Sequence, residues 1–273
     1  MDVTNHIVFT EKNAPLLFAY FQENNIPFEC GTLTCVADVR ESDPHWKGIF
    51  QIMQRENVYY LPQNVFSPEE LNAAQWLMIR SRWLYDYPQP EDHFQSVTYQ
   101  GTCWECGSGS IQQAAFRFKK QPQWGRRSFC MTNWIEDELF LSAKAKEKLQ
   151  QEEIPGISFR QVMNKSGTEA LPDMYQMEVL QILPKGLEER SSGIAESVCC
   201  PRCGARKYHR SETGQCVFRK ETFDGAPLIA KTAEIFGCGA WAARRIIVHQ
   251  SIYQMIRKNN LDRSLEFEPI ELV

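Results

Sequence analysis

Two periods of apolar residues run through this chain, one helical and one strand-like, and they are interleaved rather than segregated. Ile7-Val8-Phe9 predicts a strand, and Ala14 to Phe21 predicts a helix with Pro15 in its first turn. Ile26 to Val39 alternates loosely, as a β-hairpin does, and holds Cys30 and Cys35. These two cysteines could ligate metal or pair; the preferred reading is two buried thiols. Asp43-Pro44 opens a helix with Trp46, Ile49, Phe50 and Met53 on one face. Ser67-Pro68-Glu69-Glu70 has the form of a capping box, with proline at the first helical position. The helix it starts is expected to continue through Leu71, Ala74, Trp76, Leu77, Ile79 and Trp83. Tyr87-Pro88-Gln89-Pro90 then ends it, which puts a boundary near residue 92. The chain divides on this reading into 1–92, an N-terminal α+β region, and 93–273.

In the second region Val97-Thr98-Tyr99, Phe116 to Lys119, Trp134 to Leu141 and Met174 to Leu183 predict strands. An internal echo is also present. Leu141, Ala145 and Leu149 recur as Val248, Ile252 and Ile256; Ile157, Phe159 and Val162 recur as Leu265, Phe267 and Ile270. Each set reads as strand, helix, strand. Duplication with an insertion in the second copy explains the echo, and so does chance recurrence of a common unit; the sequence alone leaves both open. Helices and strands that do not alternate regularly imply an α+β fold.

The same offset logic picks out the chemistry. Cys103-Trp104-Glu105-Cys106-Gly107 and Cys200-Pro201-Arg202-Cys203-Gly204 are two Cys-x-x-Cys-Gly knuckles. Each is a tight turn that aims two thiolates at one point. The simplest site is one zinc ion held by Cys103, Cys106, Cys200 and Cys203, the full shell of a structural zinc. Three other uses stay open at this point. Each knuckle could bind its own ion, with Cys130 serving the first and Cys216 or Cys238 the second. Cys199 could replace its neighbour. A redox dithiol is the third. The 43% apolar content supports a packed core, and a net charge of −4 is not the profile of a general nucleic-acid binder. The first residues show no basic segment followed by an apolar one, and no apolar run approaches membrane-spanning length. A cytoplasmic, reduced protein with no membrane contact is therefore expected.

No catalytic constellation is found: no Gly-x-Ser-x-Gly, no His-Glu-x-x-His, no phosphate loop, and five scattered histidines. Asp137 and Glu138 sit among aromatics and could face a cleft; the preferred reading puts them in solvent at a strand end. Arg117, Lys119, Lys120, Arg126 and Arg127 follow the first knuckle, and Arg202, Arg206, Lys207, His209 and Arg210 surround the second. Basic and aromatic residues on zinc knuckles suit nucleic acid, but a solvated face is preferred.

The paired knuckles, with strand–helix–strand segments ending Gly-Ile-Ser-Phe-Arg-Gln-Val and Ser-Leu-Glu-Phe-Glu-Pro-Ile, resemble the bacterial double-CXXCG motif family. The closing segment is similar to that of immunity proteins in polymorphic toxin systems. The resemblance covers about residues 97–273. It implies a cytoplasmic immunity protein that binds a cognate toxin and occludes it, with no catalytic residues and only the four knuckle cysteines carried over, as zinc ligands. The contact surface does not carry over from the family; aromatics such as Trp124 and Trp241, if exposed, are the residue type that anchors such a partner. A zinc-knuckle nucleic-acid-binding regulator is the alternative.

Overall fold

The opening apolar run becomes β1 (Asp2–Phe9), which buries Asn5, Ile7 and Phe9 at alternate positions. Helix α1 (Pro15–Glu23) comes next, with its proline at the first turn as expected. The hairpin forms from β2 (Glu29–Cys30) and β3 (Cys35–Arg40), and after it the chain forms α2 (Trp46–Glu56) and β4 (Tyr60–Val65). The four strands make one antiparallel sheet in the order β2-β3-β1-β4. Leu17 and Phe21 of α1 and Ile49 and Met53 of α2 pack with Ile7, Phe9, Ala37 and Val39 in a single core. Cys30 and Cys35 lie directly opposite each other across the hairpin and form a disulfide, so the expectation of two free thiols is corrected by register.

The computed structural model describes residues 1–273 as two compact units: Met1–Glu70 with Ser211–Gly214, and Leu71–Arg210 with Gln215–Val273. The division lies at Glu70/Leu71, not near residue 92. Its cause is one segment whose sequence misleads. The capping box is real: Ser67 N–H donates to Glu70 Oε2 at 2.8 Å and Glu70 N–H to Ser67 Oγ at 3.2 Å. Yet the helix it starts, α3 (Pro68–Ala73), stops after six residues. The apolar run beyond it forms β5 (Trp76–Ser81), whose first four residues are all buried. A continuous apolar run fits a strand covered on both faces as well as a buried helix, and periodicity cannot separate them.

The second unit continues with α4 (Phe94–Thr98), β6 (Tyr99–Gln100), β7 (Ile111–Gln112), β8 (Arg117–Phe118), β9 (Phe129–Thr132), β10 (Ile135–Leu141), α5 (Ala143–Gln151) and β11 (Ile157–Asn164). Val97 and Thr98 are thus the end of a short helix, not a strand. Then come β12 (Ala170–Val179), β13 (Ile194–Cys199), β14 (Arg206–Arg210), β15 (Val217–Phe218), β16 (Ile229–Lys231), β17 (Ile235–Phe236), β18 (Ile246–His249), α6 (Gln250–Lys258), β19 (Leu265–Pro269) and β20 (Glu271–Leu272).

The echo in the sequence is an echo in the fold. One sheet has the order β8-β11-β12-β10-β9, the other β16-β18-β5-β19. In each, a strand, a helix and a second strand are split by one antiparallel middle strand. That middle strand is β12 in the first and β5 in the second. Leu141 faces Tyr175 and Phe159 faces Met177; at the equivalent positions Val248 faces Leu77 and Phe267 faces Ile79. The side pairings match too, since β8 runs parallel to β11 as β15 does to β20. Helices α5 and α6 are capped alike: Ser142 accepts from Ala145 N–H, and His249 accepts from Ser251 N–H.

The packing obeys the same rule. Leu139, Leu141, Ala145 and Leu149 share one core with their equivalents Ile246, Val248, Ile252 and Ile256. The alternate positions turn away into two matching outer cores, Phe140 with Cys130 and Phe118 in one, Ile247 with Ala230 and Phe218 in the other. Besides the origin of the middle strand, the copies diverge between β16 and β18, where Lys231 and Ile246 are bridged by a long segment containing β17. In the first copy β9 turns into β10 almost at once. No helix of the protein is long and apolar enough to cross a membrane.

Candidate metal centre

Each knuckle is held at the end of a short strand pair. β6 and β7 flank the first; β13 and β14 flank the second. The backbone wraps in the same way in both. Cys103 N–H donates to Ser108 O at 2.8 Å and Gly107 N–H to Cys103 O at 2.7 Å; Cys200 N–H donates to Ala205 O at 2.9 Å and Gly204 N–H to Cys200 O at 2.9 Å. Gly107 and Gly204 have φ of 76° and 72°, the left-handed region that glycine enters without a Cβ clash. A side chain on Gly107 would in addition collide with the Ala240 carbonyl.

The four thiols converge. All four sulfur atoms lie within 4.8 Å of one another. Cys103 and Cys200 are 4.0 Å apart and Cys106 and Cys203 3.5 Å. A tetrahedral ion with bonds of about 2.3 Å places its sulfurs about 3.8 Å apart, within this range. The sulfurs that face each other are equivalent ones, 97 residues apart in both pairs. The centre therefore sits where the two copies meet, each giving one knuckle. The thiols also perturb one another. Burial acts to raise Cys106, but the hydroxyl and N–H of Ser108 and the neighbouring thiols bring it down to about 6. The Ala205 N–H acts to lower Cys203, but the thiols around it push it up to about 12. Such crowding is what a dication relieves, because metal ligation requires thiolates.

The other cysteines stay apart, so the four can hold a metal ion without them. Cys130 and Cys216 are buried in the two outer cores, and burial raises both thiols, Cys216 to about 11. Cys199 and Cys238 are exposed free thiols.

A residue that sequence reasoning passes over completes the centre. Lys207 falls among the basic residues expected on a solvated face, yet it is only 4% exposed. Its ammonium donates to Cys106 O at 3.0 Å, to Trp241 O at 2.9 Å and to Gly239 O. No carboxylate pairs with it. A buried cation satisfied only by carbonyls is costly unless negative charge lies near, and four thiolates around a dication carry a net charge of −2. Nothing in the sequence signals it, since Lys207 follows another basic residue and is buried beside Tyr208 with no alternation along β14.

Asp137 and Glu138 are not a solvated strand end. Glu138 is buried, accepts from Lys231 at 2.6 Å and from Gln176 at 2.9 Å, and burial raises its carboxyl above the usual range although Lys231 opposes this. Asp137 instead lines a cavity. Trp124 is not an exposed anchor either; it is buried and donates its indole N–H to Asp173 O at 2.7 Å. Trp241 is half-buried on the wall of that same cavity. Several basic residues are committed: Lys119 to Glu91, Arg206 to Glu189 and Arg210 to Glu268. Among known proteins, no family model matches the chain and no curated protein matches it.

Proposed function

We propose that the chain is a binding protein stapled by one structural zinc ion, acting as an immunity protein that holds a cognate bacterial toxin and covers its active site. The observation that carries the metal is the set of four converging sulfurs. Soft thiolates in a tetrahedral arrangement favour zinc, and four of them leave no position open for substrate, so the role is structural. The binding role is supported at the same place. Trp104 of the first knuckle is 70% exposed, and the Arg202 guanidinium of the second lies 4.9 Å above its ring. Tryptophan and arginine are the residues that most often dominate protein interfaces. The double-CXXCG resemblance supplies the toxin as partner. Nucleic acid is supported less, because Lys119, Arg206 and Arg210 are paired with carboxylates and Lys207 is buried among carbonyls. A cytoplasmic location fits the need to keep four ligands reduced, while the Cys30–Cys35 disulfide pulls towards an oxidising compartment.

The test is purification under reducing, chelator-free conditions from the source cells, with metal quantified on the same sample. One zinc per chain and one stoichiometric protein partner encoded nearby are expected. Absence of zinc would remove the metal reading. Recovery of nuclease-sensitive nucleic acid in place of a protein would remove the immunity reading.

A further inference from the structure

The two strand–helix–strand copies within the second unit differ at one edge, where the segments of both copies meet. The long segment between β16 and β18 contributes Cys238, Ala240, Trp241 and Ala242 to a cavity of about 380 Å³. The β9–β10 turn and the start of β10 add Trp134, Glu136 and Asp137, and Phe94, Tyr99 and Gly107 of the first knuckle also line it. Trp134 carries a positive φ of 69°, rare for a bulky residue. Nothing in the hairpin needs tryptophan there, because glycine would serve the turn without strain. The strained backbone presents the indole at the cavity rim, 43% exposed, stacked on Phe94 with ring centres 5.6 Å apart and against Tyr87 at 4.6 Å. Strain kept at a cavity rim points to use of the side chain.

The charge of the lining is one-sided. It holds two carboxylates, four aromatic rings and no lysine or arginine. Glu136 is held by Arg245 at 3.0 Å. Asp137 makes no hydrogen bond; its nearest cation is Lys231 at 3.9 Å, already engaged by Glu138 at 2.6 Å. Arg244 is turned to the carbonyls of Thr232 and Ala233. An acid short of a partner, surrounded by ring faces, is the chemistry that recognises a guanidinium or alkylammonium group.

We infer that this cavity is a binding site for an organic cation, seated against the Trp134 and Trp241 rings with its charge on Asp137. The cation is either the end of an arginine or lysine side chain or a free small molecule. The site is independent of the immunity reading, since it is built within one unit and needs no toxin.

The test is titration of the purified, metal-loaded full chain with Nα-acetyl-arginine amide, with its neutral citrulline isostere and with choline, monitored by tryptophan fluorescence. Saturable binding of a cation in the millimolar range is expected, at least about tenfold weaker for the citrulline compound. Asp137→Asn should weaken cation binding by at least about tenfold. Trp134→Gly, which the turn's backbone accommodates, should do the same, with a thermal midpoint read in parallel to confirm that the variant is folded despite the lost packing on Phe94 and Tyr87. A pentapeptide with central arginine distinguishes the source: tighter binding than the amide marks a protein side chain, and no gain marks a small-molecule site. Lack of saturation by any cation below about 50 mM, equal binding of citrulline, or indifference to Asp137→Asn would overturn the site.

Discussion

Replacing Lys207 by methionine removes an ammonium and little volume, so it isolates the polar role of that side chain. Three carbonyls, of Cys106, Gly239 and Trp241, have Lys207 as their hydrogen-bond donor. Bonds from a charged donor contribute about 1.5–3 kcal/mol each, or roughly 4–9 kcal/mol for three. Returning the ammonium to water recovers several kcal/mol of desolvation. The expected net loss is about 3 kcal/mol, undiminished by solvent because the residue is 4% exposed. Metal should then bind more weakly, since the positive charge beside the thiolates is gone. Urea unfolding by tryptophan fluorescence gives the first quantity, and competition with a chelator of known affinity gives the second. Lys207→Arg should not rescue, because a planar fork cannot reproduce three convergent bonds from one nitrogen. A loss below about 1 kcal/mol with unchanged metal affinity would refute the reasoning.

Serine at any one of Cys103, Cys106, Cys200 or Cys203 should abolish stoichiometric metal binding, read by elemental analysis, and should loosen the second unit in hydrogen exchange. Metal affinity should fall as pH falls, because the thiols must lose protons to ligate and Cys203 is held protonated up to about 12 without an ion; a chelator competition that is flat between about pH 6 and 8 would contradict this. Glu138→Gln leaves the buried Lys231 ammonium with Asp137, 3.9 Å away, as its only carboxylate and should cost about 3 kcal/mol in urea unfolding. Reduction of the Cys30–Cys35 disulfide opens a loop of sequence separation 5 and should lower the first unit's stability by about 2 kcal/mol. Trp104→Ala should leave stability unchanged yet weaken partner binding by about 2 kcal/mol, measured by calorimetry.

Local signals are readable from the residues alone. The knuckle glycines, the capping box, Pro15 in the first turn of α1 and the recurrence of Leu141 as Val248 all survive in the structure. Each depends on neighbours within a few positions or on a repeat. The segment Trp76 to Ile79 is not readable, because its strand character comes from partners in β18 and β19 far along the chain. Lys207 and Glu138 escape for the same reason: charged residues read as solvated until the fold brings carbonyls or an opposite charge to them. The cavity at Asp137 joins segments about a hundred residues apart, and no spacing rule reaches that far.

The second copy takes its central strand from a segment made long before the rest of its sheet. Arg80 in β5 and Glu266 in β19, which bond across the sheet, are 186 residues apart. At about 5–20 residues per second, β5 waits on the order of 10–40 s on the ribosome for its last partner. Until β18 is made, late in that interval, Trp76-Leu77-Met78-Ile79 is an apolar strand with no sheet to join. The nascent chain is thus a natural client for a holding chaperone, and a stop codon even a dozen residues early, which removes β19 but not β18, would leave one edge of that strand open for the life of the molecule.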